Sequence, residues 1–237
     1  MLTGKAPPVV PACATTTGTS VQAVALPLTE LKITLELRKL QALTPYKPKA
    51  WEFYLSAARL SRKYPFLPQS FCTGFILDYP IIKVTQTPPN KPSISDLQHE
   101  FDKVVRLEMA KQCYLGPLSC IDMESLIGPF QSSSFSIIPK PGRPGHYRIL
   151  QNYSFPYIMT SSQPNPSINS FIDSNNFPTT WGTFSIIALL IHQLPLDPQV
   201  ATRDVVEAYR TIPLHHLQWP GAVAKIGPDS YCVDTAT

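Results

Sequence analysis

Apolar positions recur along this chain with changing periods, and the changes mark its elements. From Leu28 to Leu43 they fall at Leu31, Ile33, Leu35, Leu37 and Leu40. Alternation favours a strand early and a helix later, and spacing alone does not separate the two. A firmer helix is predicted from Trp51 to about Tyr64, with Trp51, Tyr54, Leu55, Ala58 and Leu60 broadly on one side. Arg59, Arg62 and Lys63 crowd its last turn, where positive charge suits the helix dipole, and Pro65 stops it. Residues 65–94 carry many prolines and little periodicity, which predicts an extended, wrapped segment. Ser95 and Gln98 then read as a capping box, followed at helical spacing by Leu97, Phe101, Val104 and Val105. Lys103, Arg106 and Lys111 give this helix a basic exposed side, a pattern that by default is solvated surface.

From Phe130 the pattern becomes β. Ser134–Lys140 is a strand candidate, Pro141-Gly-Arg-Pro-Gly145 a turn, and His146–Tyr153 the returning strand, so a hairpin with a basic tip is predicted. A loop holding Ser167-Ile-Asn-Ser170 follows. Thr180 is the predicted cap of a helix with Phe184, Ile187, Ala188 and Ile191 facing inward. Val200–Val206 reads as a strand, then comes a turn with Glu207, Ala208 and Tyr209. Ala222–Ile226 and Tyr231–Val233 read as a last hairpin about a Gly-Pro-Asp-Ser turn.

Composition narrows the class. At 237 residues, 43% hydrophobic and 15% charged, the chain has enough apolar material for a core. Its 26 prolines against 10 glycines predict short elements joined by stiff connections. The net charge of +4 permits a polyanionic partner without demanding one. Cys13, Cys72, Cys113, Cys120 and Cys232 are odd in number and form no C-x-x-C pair, which points to free thiols in a reducing compartment. No segment reaches the roughly 18 apolar residues of a membrane span. The best run, Phe184–Leu196, is broken by Ser185, His192, Gln193 and Pro195. Residues 1–26 lack the apolar core of a signal peptide and read as a disordered tail, so an intracellular, non-secreted protein is expected.

The candidate chemistry sits in Ala201-Thr-Arg-Asp-Val-Val-Glu-Ala-Tyr-Arg-Thr-Ile-Pro-Leu214. An acidic residue at the end of a short strand, with an aromatic five residues on, suits nucleotide chemistry. Phosphoryl transfer uses carboxylates to hold divalent ions between attacking and leaving oxygens. Alone, such a match reads as an N-cap aspartate and a core tyrosine. His215 and His216, adjacent and expected to diverge on a strand, have no acidic or Cys neighbour at ligand spacing. Trp181 and Trp219 read as packing residues.

Three blocks in order raise the weight of that stretch. Asp204-Val-Val-Glu-Ala-Tyr-Arg-Thr-Ile-Pro-Leu214 resembles the first catalytic block of reverse transcriptases. About 55 residues upstream, Ile137-Ile-Pro-Lys140, the Pro/Gly turn and Tyr147-Arg-Ile-Leu-Gln-Asn-Tyr-Ser-Phe-Pro156 resemble their fingers hairpin, and Ser167-Ile-Asn-Ser170 the following element. Asn152-Tyr-Ser-Phe-Pro156 followed by Ser167-Ile-Asn169 looks closest to tyrosine-recombinase (DIRS-like) retroelements. The resemblance covers roughly residues 95–237.

It implies an α/β (α+β) fold: the fingers and part of the palm of a right-hand polymerase, preceded by a helical and extended region at 27–94. It implies Asp204 as catalytic, metal-binding carboxylate, with the Val205 backbone carbonyl as a further metal ligand and Mg²⁺ as the ion. Tyr209 would be the sugar gate. Arg148, Lys140 and Arg143 would bind nucleotide or template phosphates, through planar bidentate or point-charge contacts. The implied partners are an RNA template, a DNA primer and a deoxynucleoside triphosphate, with no membrane. Two departures stand out. Gln151-Asn152 occupy a place where many members of the family carry an acidic residue. The second block, aromatic-x-Asp-Asp, is absent: no Asp-Asp pair occurs, and the chain stops about 33 residues past Asp204. Asp229 and Asp234 sit in the last hairpin, in a different context. One aspartate and one carbonyl do not hold two ions, so the expectation is a polymerase fragment without polymerase activity of its own. The alternatives are a non-catalytic nucleic-acid-binding remnant, or a domesticated interaction protein using helices of residues 50–115. The palm hairpin, without the strands around the missing block, is expected to present an unpaired, aggregation-prone edge.

Overall fold

Leu31 and Leu35 are 1% and 2% exposed while Ile33 and Leu37 are 56% and 60% exposed, so the ambiguous first run has helical period. It forms helix α1, Leu28–Leu40, in a computed structural model that describes residues 27–173, 175, 183–195 and 208–236. Helix α2 runs Pro48–Ala57, starting earlier and stopping seven residues sooner than predicted. It closes in a Schellman turn: the Leu60 N–H donates to Leu55 O at 2.8 Å and the Arg59 N–H to Ser56 O at 3.0 Å. Arg59 adopts φ 58° at the position usually given to glycine.

Residues 65–94 are not extended throughout. Two short helices, α3 (Leu67–Thr73) and α4 (Pro92–Asp96), interrupt the segment, each with a proline in its first turn, where no N–H is missed. Gly74, φ 93°, lets the chain come against the backbone of Leu214 and His215, where Phe75 forms a parallel bridge. The predicted capping box does not form. Ser95 lies inside α4, Leu97 precedes helix α5 (Gln98–Ala110), and Gln98 Nε2 donates instead to Asp102 at 2.7 Å.

A strand invisible to pattern, β1 (Tyr114–Leu118), comes next, then helix α6 (Cys120–Ile127), capped by Ser119 accepting from the Asp122 N–H. Gly116-Pro117 inside β1 reads as a breaker. The strand accommodates it with a register irregularity between Leu115 and Leu118. A Cβ at Gly116 would sit 2.7 Å from Cys232 Sγ, so glycine permits the close approach of β1 and the last hairpin.

The first hairpin forms as predicted: β2 (Ser134–Pro139) and β3 (Tyr147–Asn152) pair antiparallel from Ser134↔Asn152 to Pro139↔Tyr147. The last hairpin also forms, as β4 (Val223–Gly227) and β5 (Ser230–Asp234). It is not short of a partner, because β1 takes the open side of β5 in a β1-β5-β4 sheet. The outer side of β4 is partly covered: Val223 bridges Ser132 and Asn90 Nδ2 donates to Lys225 O. The unpaired edge expected on β5 is therefore filled, and the aggregation argument drawn from it falls.

The sheet is buried on both faces. Leu115, Val223, Tyr231 and Val233 point to one face, with α1, Met123 of α6 and Trp219. Tyr114, Ala224 and Cys232 alternate to the other, with Ile94, Phe101, Val105 and the inner side of β2. The fold is thus mixed α/β with small antiparallel sheets. Trp219 is a packing residue, as predicted, and donates from Nε1 to Leu214 O at 3.2 Å.

Helix α7 spans Phe184–His192 and departs from expectation: Phe184, Ile187 and Ile191 are exposed, and so is Ala188. A run of Phe-Ser-Ile-Ile-Ala-Leu-Leu-Ile-His is apolar on nearly every side, so its period encodes a helix without a direction. Thr183 caps it by accepting from the Ile186 N–H; Thr180, the predicted cap, lies outside the described residues, as do Trp181 and the predicted strand Val200–Val206. No helix among the described residues is long and apolar enough to cross a membrane.

Candidate nucleotide-binding site

A cavity of about 910 Å³ opens between helix α5, the β2–β3 hairpin and the short 3-10 turn Ala208–Thr211. Each wall follows from its local sequence. The Pro-Gly-Arg-Pro-Gly tip folds tightly, with Lys140 N–H donating to His146 O at 2.8 Å and His146 N–H to Arg143 O at 3.1 Å. That places Lys140 just past the end of β2, and the Ile138↔Arg148 register sets Arg148 two positions back along the partner strand, diagonal to Lys140. Both are exposed and both line the cavity. Arg143 is exposed at the tip and is not among the lining residues, so the third predicted cation is not brought to the same place. Tyr209, from the 3-10 turn, is 81% exposed and forms part of the lining. Lys140, Arg148 and Tyr209, dispersed in sequence, therefore share one cavity. Asp204 and Val205 lie outside the described residues, as does Glu207.

Beneath Tyr209 is a buried ionic network that the sequence did not announce. Arg210 Nη1 donates to Asp234 Oδ1 at 2.8 Å and Oδ2 at 2.7 Å, and to Ala236 O at 2.7 Å. Its Nε lies 3.1 Å from Glu108 Oε2, an ion pair without hydrogen-bond alignment. Its guanidinium stacks over the Tyr114 ring at 5.2 Å. Asp234 is 1% exposed and Glu108 8%. Burial pushes the Asp234 carboxyl up to about 6, against the opposing pull of Arg210 and its hydrogen bonds. For Arg210, burial favours the neutral form, but Asp234 and the other partners outweigh it and hold the charge firmly. Burial likewise raises the Tyr114 and Tyr153 hydroxyls, so both stay neutral. Tyr153 Oη and Gln151 Nε2, both in the cavity lining, have no hydrogen-bond partner. Both atoms are themselves buried beneath the cavity surface.

Arg210 follows Tyr209 directly, so its anchoring fixes the turn from which Tyr209 projects. Only adjacency to Tyr209 could have flagged it in the sequence. Its partners on β5 and β1 are 24 and 96 residues away, with no shared pattern.

No protein-family model, curated protein or solved structure matches the chain.

The predicted metal ligands, Asp204 and the Val205 carbonyl, lie outside the described residues, and nothing in the described residues bears on them. Among the described residues no group of three or more His, Cys, Asp and Glu could hold a metal ion. Asp234, the carboxylate deepest in the cavity, has both oxygens engaged by Arg210. Asp229 is occupied in accepting from the Cys120 N–H at 2.9 Å. His215 and His216 do not diverge on a strand. His216 opens a 3-10 turn, and the two rings stand 4.4 Å apart.

Proposed function

We propose that the chain forms the fingers and first part of the palm of an RNA-directed DNA polymerase of a retroelement, and that the cavity receives the nucleoside triphosphate. The observation that carries this reading is the convergence of Lys140, Arg148 and Tyr209 on one cavity. In the resemblance those are two phosphate-binding cations and the residue against the sugar. Arg148 offers paired donors to a phosphate, Lys140 a mobile point charge, and Tyr209 a flat ring one side chain away. The fixed position of Arg210 holds that ring in place through the backbone of the turn. In the whole enzyme, Mg²⁺ held partly by Asp204 would neutralise charge developing on the transferred phosphoryl group. The residues that converge on the cavity account for binding of the nucleotide, and that is the step assigned to them.

The test is titration of a fluorescent 2′-deoxyadenosine triphosphate into the chain and into a Lys140→Ala, Arg148→Ala double variant. Two charge-assisted contacts are each worth roughly 1.5–3 kcal/mol, so the variant should bind at least tenfold more weakly with an unchanged melting temperature. Equal binding by both proteins, or no binding by the parent, refutes the reading. Salt-dependent binding of RNA without any binding of triphosphate would favour the non-catalytic remnant instead.

A further inference from the structure

The chain's positive charge is concentrated in one place. Between Tyr46 and Phe66 stand Lys47, Lys49, Arg59, Arg62 and Lys63 against the single acid Glu52. Removing these from the 20 basic and 16 acidic residues leaves fifteen of each sign, so this stretch carries the whole net charge of +4. All five cations are exposed, and among the described residues none is held in an ion pair.

Large rings are interleaved with them. Phe53, Tyr54, Tyr64 and Phe66 are 67%, 59%, 41% and 77% exposed. Phe53 and Tyr54 meet edge to face at 5.4 Å, and Lys63 Nζ lies 5.3 Å from the Tyr64 centroid. These are not residues awaiting a core. The inward side of α2 is already used: Leu55 is buried and Trp51 packs at 5.5 Å on Phe71, which also holds Tyr46 at 4.8 Å.

Arg59 adds a backbone observation. It holds the left-handed C′ position of the Schellman turn at φ 58°, where glycine would fit without strain. A non-glycine residue persists there at a conformational cost, which is the kind of outlier that marks a side chain in use.

The base of this elbow is tied to the cavity. Thr44 Oγ1 donates to Thr211 O at 2.9 Å, and Thr211 Oγ1 donates to the Tyr46 hydroxyl at 3.2 Å. Thr211 ends the same turn that carries Tyr209.

We propose that the elbow of residues 46–66 is a docking surface for single-stranded nucleic acid, whose backbone meets the five cations and whose bases stack on the exposed rings. Exposed aromatics spaced among cations are the arrangement that sequence-tolerant single-strand binders use. A membrane surface is the other polyanion such a patch could meet, but interfacial helices present a continuous apolar face outward. Here α2 turns Leu55 and Trp51 into the protein and leaves outward only the adjacent Phe53–Tyr54 pair, which is not a continuous apolar face. The inference goes beyond the nucleotide cavity and is tested apart from it.

The experiment is fluorescence anisotropy of a labelled 20-nucleotide poly(U) RNA with the full chain, at several salt concentrations. The charge variant is Arg59→Gly, Arg62→Gln, Lys63→Gln. The glycine suits the left-handed position, so the fold should be kept and melting should not fall. This variant should bind at least tenfold more weakly, with its log K against log salt slope flattened by about 2, since each single-strand phosphate contact contributes roughly 0.7. A Phe53→Ser, Phe66→Ser variant should lose at least fivefold with its slope unchanged. Both should bind the fluorescent triphosphate as the parent does, which separates the elbow from the cavity. Variants that bind the RNA like the parent overturn the proposal. So does a parent that binds phosphatidylcholine–phosphatidylserine vesicles and not the RNA.

Discussion

Replacing Arg210 by methionine should be among the most damaging single substitutions in this chain, and its damage should depend on pH. The side chain is anchored by two hydrogen bonds to Asp234, one to Ala236 O and an ion pair to Glu108. Methionine leaves the Asp234 carboxylate, 1% exposed, without its cation. Glu108 keeps Lys111 at 3.6 Å, so most of the loss falls on Asp234. Breaking a buried pair from one side costs about 3–5 kcal/mol, which for a chain of this size lowers Tm by roughly 6–20 °C. The folded Asp234 carboxyl, already raised from an ordinary 3.8 to about 6 by burial, loses the pull that held it down and rises further. A raised folded value means the native state keeps a proton that the unfolded chain gives up. The associated stability is present in full below pH 4 and is lost as pH climbs through the folded value. That loss extends higher in the variant than in the parent. The deficit should therefore be small near pH 4 and grow steadily as pH rises from 6 to 8. Urea denaturation of both proteins at pH 5 and pH 8 measures it. A deficit under 1 kcal/mol at pH 8, or one equal at both pH values, would falsify the account of Asp234 as a buried charge stabilised by Arg210.

Two further substitutions probe how the fold around the sheet is held. Ser119→Ala removes the cap of α6, where the hydroxyl accepts from the Asp122 N–H at 3.1 Å and donates to its carboxylate at 2.7 Å. It should cost about 1 kcal/mol in chemical denaturation, and an unchanged midpoint would show that the cap is dispensable. Gly74→Ala combines a left-handed backbone with a Cβ driven into the main chain of Leu214 and His215. Since neither neighbour can swing aside, it should cost roughly 3 kcal/mol or more. A variant that melts with the parent would mean the chain crosses there less closely than described.

The elements that were legible before folding are those whose signal is local. The β2–β3 hairpin announces itself because Pro141-Gly142 and Pro144-Gly145 separate two apolar runs, and the turn they encode sets the register that puts Arg148 diagonal to Lys140. The β4–β5 hairpin is legible for the same reason. Strand β1 was hidden because Gly116 and Pro117 are breakers in isolation. They become tolerable only when β5 is there to be approached closely. The α1 run could be read with period 2 or 3.6, and only the presence of a core against Leu31 and Leu35 selects the second. The inward face assigned to α7 was not realised: apolar side chains cover most of its circumference, so the pattern encodes the helix without deciding which side packs.

By itself, then, the amino-acid order determined the turns, the hairpins, the amphipathic helix α5 and the cluster of charge between Tyr46 and Phe66. Each depends on neighbours within a few bonds or a few turns. Only the tertiary structure decided that β1 completes the sheet, that Arg210 is locked between Asp234 and Glu108, and that Lys140, Arg148 and Tyr209 face one cavity. Those contacts join positions far apart in the chain. Their energies come from burial and charge pairing, which exist only once the elements have packed.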